Sequence, residues 1–564
     1  MLPPLSDDAS GLVRSIEERF SASPEEKREI HEGLLPEITS RALGSAVYSG
    51  RIWTTRSFDE LGRLPLTDYH WIHECMARHG KEKCLLAPSV VAFRTSGSTG
   101  DPKEFFYGEE DIERILSDYR LYTHMIGFRK GMAGWNLSGA PPDVSGYIVD
   151  RVKGAMAMGG PTTLLKDDRD LVRALKEVSK QGRIDMVASG ALIVYLVGKM
   201  SREPDFLPGI IVDKIVRTYH LPRPLARLVA KLYLRGIDAD ALSAFADDVS
   251  LGITFAESLD AYQDELDRFY PKLRLFDIYG STENPLMAGQ IVQGVRTLGV
   301  MTGAIIPELI PAGSLNSGHV DDDRPPSAVP WYEWKAGMKG ELVITRPGQC
   351  LPLVRYPTGD LIEVLDPART DRVTVLDARI DICLPHIRVL GRTADTLDYG
   401  DQDESGNFMG VKIYSRFVNE TLYGKGGVKW WELYNVRDSP ARLVMAVIPE
   451  KEPLDRARFG AEVKRRLLGE QTDVPQMFEI ACDLRRFDII VLRANAYDVI
   501  QAEIDRRVKA GRSIGQMKPK HIYKVDGMQA FREVMRERYE YELPLPSELP
   551  LPLEPRFGVA GEQL

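Results

Sequence analysis

TSGSTGDPK, running from Thr95 to Lys103, decides how this 564-residue chain is read. It follows the apolar run VVAF at Val90–Phe93 and Arg94. Glycines let backbone amides approach an anion closely, and serine and threonine hydroxyls add donors without adding charge. The closing lysine can offset phosphate charge. The stretch is therefore a candidate phosphate loop. A Walker A loop needs GxxxxGK followed by Ser or Thr. Here Gly97 is followed by Gly100 and Asp101, and Lys103 by Glu104, so the pattern fails, which argues against a P-loop NTPase.

Downstream of the loop, Ile112, Ile115, Leu116 and Tyr119 fall at i, i+3, i+4 and i+7 and predict an amphipathic helix. GGPTTLL at Gly159–Leu165 reads as a turn feeding a strand, DDRDLVRALKEVSKQG as a helix, and DMVASG as a strand. That alternation predicts an α/β sheet covered by helices. Upstream, the first ninety residues read as mainly helical, with a capping-type SxxE at Ser23–Glu26. The segment Ser201–Ser250 is helical but interrupted by prolines and arginines. GELVIT at Gly340–Thr345 and RVTVLDARID at Arg372–Asp381 read as strands of a more antiparallel subdomain. Composition shifts after GRTADTLDYG, which starts at Gly391. DQDESGN reads as a loop, and the remaining strand, helix, strand and helix patterns make a small α+β domain. The expected division is 1–390, 391–545 and a proline-rich tail, 546–564.

Charge and composition narrow the function classes. The chain carries 73 basic and 82 acidic residues, a net charge of -9. That argues against a nucleic-acid binder, though anionic ligands need only a local patch. Five widely spaced cysteines suggest neither a disulfide framework nor a metal pair, so a reducing compartment is expected. No stretch reaches the ~18 apolar residues of a membrane span, and the start MLPPLSDDASG has no basic and apolar leader pattern. A cytoplasmic protein is the expectation.

TSGSTGxPK resembles the signature phosphate loop of the adenylate-forming superfamily, which includes acyl-CoA synthetases, adenylation domains and luciferases. Further signatures recur in order over about 300 residues: YGSTE at Tyr279–Glu283, GELVI at Gly340–Ile344, RYPTGDL at Arg355–Leu361 and GRTADTLDYG at Gly391–Gly400. The early phrase LGRLPLT resembles the phenylacetate-CoA ligase branch, in which homodimers are common. Ala256–Glu257 stands where relatives often carry Gly-Glu, and the chain is longer than that branch.

The resemblance implies a large N-terminal domain with a small mobile α+β C-terminal domain. It also implies a reaction: ATP-dependent activation of a carboxylic acid as an acyl-adenylate, then transfer to coenzyme A. An amine acceptor, a carrier-protein thiol or a non-catalytic nucleotide-binding relative are the alternatives. By the same resemblance Thr95, Ser96, Gly97, Ser98, Thr99, Gly100 and Lys103 would hold the β- and γ-phosphates. Tyr279, with Gly280 and Ser281, would lie near adenine. Thr282 would contact the α-phosphate, and Glu283 would hold Mg2+. Asp360 would accept from the ribose hydroxyls, Arg392 would sit at the nucleotide, and Asp395 would be the hinge. A catalytic lysine is expected in GRSIGQMKPKHIYKVDG, where Lys518, Lys520 and Lys524 qualify, with Lys518 first and Lys520 next. Acid-pocket residues are expected from the Ala188–Tyr195 and Asp277–Gly280 regions. WYEWK at Trp331–Lys335 reads either as pocket lining or as the cover of a domain edge.

Overall fold

The structure, a computed structural model, describes residues 9–95, 102–139, 143–165, 168–255, 259, 262–312, 327–393, 396–402, 408–422, 427–436, 442–468, 487–509 and 521–541. Ser96, Gly97, Ser98, Thr99, Gly100, Ala256, Glu257, Asp395, Lys518, Lys520 and the proline-rich tail lie outside the described residues. The chain forms two compact units. One holds the described residues up to 393 together with residues 506–509, and the other holds residues 396–505 and those from 521 on. The sequence places the start of the small domain at Gly391.

In the first unit, β1 (Val91–Arg94) and β2 (Glu104–Tyr107) pair antiparallel, Arg94 opposite Glu104. The candidate phosphate loop thus joins two paired strands. The expected helix follows at Glu109–Met125. Its start is fixed by Asp111, which is buried and accepts from the backbone N–H groups of Gly108, Gln349 and Cys350 at 3.0, 2.7 and 2.9 Å.

Five parallel strands follow: β3 (Gly134–Gly139), β4 (Thr162–Leu165), β5 (Met186–Gly190), β6 (Leu251–Phe255) and β7 (Arg274–Tyr279). They run in the order β4-β3-β5-β6-β7. The order reverses between β3 and β5, and ligands of open α/β sheets bind at such a switch, beyond the carboxyl ends of the strands. The sheet does not stop there. β7 pairs antiparallel with β8 (Ala288–Gly289), and β9 (Leu298–Val300) pairs with β8. Beyond them come β10 (Ile306–Pro311), β11 (Val329–Pro330), β12 (Lys339–Arg346), β13 (Leu353–Val375) and β14 (Ala378–Arg392). The antiparallel subdomain therefore continues the parallel sheet, giving twelve strands ordered β11-β10-β12-β13-β14-β9-β8-β7-β6-β5-β3-β4. The pair read at Arg372–Asp381 is only the tip of the long β13–β14 hairpin. Its turn residues Leu376 and Asp377 both have positive φ, 47° and 73°, as a two-residue I′-type turn requires.

The N-terminal helix Pro24–Ala42 carries the expected capping box between Ser23 and Glu26. It is tied to the antiparallel half by buried polar contacts. Lys27 Nζ donates to the carbonyls of Phe20 and Cys383, and burial pulls its pKa down to about 8. His31 Nε2 bonds the Thr302 carbonyl at 2.7 Å, and Trp331 Nε1 donates to His31 Nδ1 at 3.0 Å. Burial lowers the His31 pKa to about 4, so the ring is neutral near pH 7. Trp331 and Trp334 of WYEWK are buried. Both belong to the main hydrophobic core of the first unit.

In the second unit β15 (Thr396–Gln402) and β16 (Phe408–Tyr414) form a hairpin. Asp401 and Gln402, read as loop, end β15. β17 (Val428–Val436), β18 (Arg442–Pro449), β19 (Phe487–Val491) and β20 (Ile522–Val525) form a mixed sheet in the order β19-β18-β17-β20. The helix Gly527–Tyr539 packs on it through Phe531 and Met535, which join Trp430 and Tyr434 in the core. Inside this unit Glu432 is buried but satisfied. It accepts from Tyr539 Oη at 2.6 Å and Tyr523 Oη at 3.3 Å, and Arg538 approaches it to 3.0 Å. Buried charges persist when paired and hydrogen-bonded in this way.

Candidate functional site

The loop opens from a closed base. Thr95 N–H donates to the Lys103 carbonyl and Lys103 N–H to Thr95 Oγ1, both at 2.9 Å. Thr95 and Lys103 are thereby fixed on either side of residues 96–101. Lys103 Nζ reaches 3.5 Å from Tyr356 Oη and lies 5.8 Å from the ring centre of Tyr69. Tyr356 Oη in turn donates to Glu283 Oε1 at 3.1 Å. A cation, a phenol and a carboxylate from three distant stretches thus form one chain of polar contacts. Burial first, and the Glu283 charge second, push the Tyr356 pKa well up, so the phenol stays protonated and acts as donor.

Glu283 and Thr282 are both buried. They sit in the turn that leaves β7. Tyr107 Oη lies 2.6 Å from the Thr282 carbonyl and 2.8 Å from that of Glu283. Ser281 N–H donates to the Asn284 carbonyl, and Ser281 Oγ accepts from Glu283 N–H at 3.2 Å. Gly280 makes this turn possible: a Cβ there would stand 1.8 Å from the Pro285 carbonyl oxygen. No side chain fits without moving backbone. That backbone is held from the far side, where Tyr119 Oη donates to the same Pro285 oxygen at 2.9 Å.

A second cluster joins β7 to β13 and β14. Tyr279 Oη donates to Asp360 Oδ2 at 2.7 Å, and Arg392 Nε lies 3.7 Å from Asp360 Oδ1. Register places Asp360 directly opposite Arg392. Burial, then the Asp360 charge, raises the Tyr279 pKa well above its usual value, so this phenol also remains a donor. Glu341, from the GELVI stretch, holds the turn before Asp360. Its Oε1 accepts from Gly359 N–H at 2.9 Å, and its Oε2 from Thr393 Oγ1 at 3.4 Å. Burial raises the Glu341 carboxyl above the usual range. Gly359 has φ 77°, a conformation open mainly to glycine.

One residue of RYPTGDL is built into the scaffold. Arg355 is fully buried and has φ 50°, rare for a side-chain residue. Its Nε donates to Glu308 Oε2 at 3.1 Å, and its Nη1 bonds the carbonyls of Gly62, at 2.8 Å, and Leu64. Its backbone N–H donates to Thr345 Oγ1, and its carbonyl accepts from Thr67 N–H. It therefore pins the LGRLPLT phrase to β13, one residue before Tyr356.

The structure brings Thr95, Lys103, Tyr279, Gly280, Ser281, Thr282, Glu283, Asp360 and Arg392 to the loop base, to the carboxyl end of β7 and to the facing parts of β13 and β14. Sequence reasoning missed Tyr356, Tyr107 and Glu341. Two of them lay inside stretches already singled out, and Tyr107 lies just past the loop. Of the regions expected to line an acid pocket, Ala188 and Ile278 line an apolar cavity of about 30 Å3 between the sheet and the helices Glu109–Met125 and Val144–Ala155.

Among the described residues no cluster of three or more metal-ligating side chains occurs, and no helix is long and apolar enough to cross a membrane. Cys75, Cys84, Cys350 and Cys383 are free thiols.

By sequence, no family model matches the chain and no curated protein is found similar to it. Solved structures share its fold. A 2-hydroxyisobutyryl-CoA ligase, captured in the postadenylation state with 2-HIB-AMP, superposes with a TM-score of 0.61 at 14% identity, covering 96% of this chain and 97% of that one. An acyl acid amido synthetase gives 0.60 at 14% identity, covering 95% and 96%. The same CoA ligase in an open conformation with 2-HIB-AMP and CoA gives 0.53 at 14% identity, covering 88% and 93%. The fold of this chain is that of adenylate-forming ligases.

Proposed function

We propose that this protein, which has the fold of adenylate-forming ligases, activates a carboxylic acid with ATP. The observation that carries the reading is the convergence of Lys103, Tyr356 and Glu283 beside the Tyr279–Asp360–Arg392 cluster. An acid oxygen forms a bond to the α-phosphorus, and the bond from that phosphorus to its bridging oxygen breaks. The products are acyl-adenylate and pyrophosphate.

The protein's contribution is positioning and charge stabilisation. The residue 95–103 loop, with Lys103, holds the departing phosphates. Asp360, oriented by the Tyr279 phenol, accepts from ribose hydroxyls, since a carboxylate oxygen has lone pairs beyond the one Tyr279 uses. Glu283 fits a Mg2+ ion, because that ion takes hard oxygen donors from one or two carboxylates and the substrate phosphates. When bound, the ion offsets phosphate charge. A lysine of the residue 511–527 segment, Lys518 before Lys520, would add positive charge as the adenylate forms, and Asp395 would be the hinge of the small domain.

The acyl group then passes to a nucleophile. Coenzyme A is the first reading, in keeping with the CoA ligase of like fold. The acyl acid amido synthetase, of nearly equal similarity, keeps an amine acceptor as the second.

One assay tests both halves. Incubated with MgATP and a panel of acids, the protein should release pyrophosphate only in the presence of an acid it accepts. Adding coenzyme A or amino acids separately then identifies the acceptor by product mass. Absence of acid-dependent release across a broad panel would refute the activation chemistry. In the same assay Lys518→Ala should lose adenylate formation, and loss in Lys520→Ala alone would move the role to Lys520.

A further inference from the structure

The helices Phe206–Tyr219 and Arg223–Tyr233 pack on each other in the first unit. The second of them is inverted. It buries Ala226 and Ala230 and leaves Leu225, Leu228, Val229 and Leu232 exposed, at 46%, 55%, 39% and 63%. The exposed residues fall at i, i+3, i+4 and i+7, so they form one stripe along the helix. Ile210 and Tyr219 are exposed on the preceding helix, at 44% and 69%. A soluble helix normally turns such a stripe to the core, and an apolar patch of this kind on a folded surface marks an interaction site.

Its charge says what kind. Residues 206–235 carry six basic residues, Lys214, Arg217, Arg223, Arg227, Lys231 and Arg235, against one acidic, Asp213. The chain as a whole has a net charge of -9. Arg223, Arg227 and Lys231 are exposed and spaced by four, so they run as a line down the helix, and Lys231 neighbours Leu228 at i+3. Their long aliphatic stems can lie along apolar surface while the charged heads stay in the polar layer. A second copy of the chain is a poor occupant, because a two-fold contact of this patch with itself would oppose like charges.

We propose that this helix pair seats the protein on an anionic membrane surface. The leucine stripe enters the boundary between headgroups and acyl chains, and the arginine and lysine heads pair with lipid phosphates. No helix among the described residues could span the bilayer, so the attachment lies in the interface. The proposal is independent of the ligase reading.

Sedimentation of the full-length protein with vesicles tests it. The protein should pellet with phosphatidylcholine vesicles that contain phosphatidylglycerol and stay in solution with pure phosphatidylcholine. Added salt should release it, because screening weakens exposed charge pairs. Leu228→Glu/Leu232→Glu and, separately, Arg227→Glu/Lys231→Glu should each lower the bound fraction by about tenfold or more. Neither pair should change thermal unfolding or pyrophosphate release. Failure to pellet with anionic vesicles, or equal pelleting of the wild-type protein and both variants, would overturn it. So would light scattering that shows a dimer dissolved by the leucine substitutions without vesicle binding, which would assign the stripe to a protein interface.

Discussion

Glu283→Gln should cut acid-dependent pyrophosphate release by about 100-fold or more while leaving thermal unfolding nearly unchanged. The substitution is nearly isosteric. An amide oxygen can still accept the 3.1 Å bond from Tyr356 Oη, and the turn is held by backbone contacts from Tyr107 and Ser281 that do not involve this side chain's charge. What disappears is one negative charge in a buried position facing Lys103 through Tyr356. If that charge serves a cation bound with the nucleotide, the variant also needs more Mg2+ to reach its residual rate. A rate within threefold of wild type, at the same Mg2+ dependence, would remove Glu283 from the chemistry and leave it a structural residue.

The largest stability effect is expected at Arg355. Arg355→Met should lower the stability of the first unit by about 3–5 kcal/mol, read as a shift in its denaturant unfolding transition, because it leaves Glu308 buried without its partner. The arginine also holds its own backbone at φ 50°, an arrangement that persists only when its surroundings over-determine it.

The pH dependence has a defined sign. Burial already raises the Glu308 carboxyl above its ordinary value, and Arg355 pulls it down. Without the arginine, the folded-state value rises further above the unfolded one. Stability from such a group is present below the unfolded pKa and is lost as pH rises through the folded pKa. The variant should therefore be closer to wild type near pH 5 than near pH 8. Arg355→Met/Glu308→Leu should recover most of the loss, as buried pairs replaced whole by apolar side chains often do. A single-variant loss of about 1 kcal/mol or less, with no pH dependence, would show that the pair contributes no more than a surface contact.

How much of this was legible depended on which physical signal each residue leaves in a sequence. Spacing carried the loop, because a lysine three residues past Gly100 can be tested against a known geometry. Periodicity carried the helix of Ile112 to Tyr119 and the short parallel strands. The long hairpin was legible only at its far end. There β13 alternates between exposed and buried positions, whereas its first half, LVRYPTGDLIEV, is buried almost throughout and mixes charged and glycine residues with apolar ones, so no period-2 pattern shows. Tyr356 was hidden in plain view, since a phenol in an apolar strand signals packing until its hydroxyl is seen between Lys103 and Glu283. Periodicity also shows that residues 223–233 form an amphipathic helix, but it cannot say which face points inward. Here the alanines do. The lysine of the 511–527 segment leaves no spacing signal, because three candidates lie within seven residues.

The ties of the N-terminal helix bear on how the chain is made. Tyr48 bonds the carbonyl of Pro352, 304 residues later, and Lys27 the carbonyl of Cys383, 356 residues later. His31 takes its two partners from Thr302 and Trp331. The strands β3 to β7 need only one another to form their ladder, so they can assemble while the ribosome is still far from β14. The segment from Lys27 to Tyr48 cannot: each of these polar anchors waits for a stretch translated at least 271 residues later. During synthesis the beginning of the protein thus waits long for its place, and it is sealed onto the antiparallel half late.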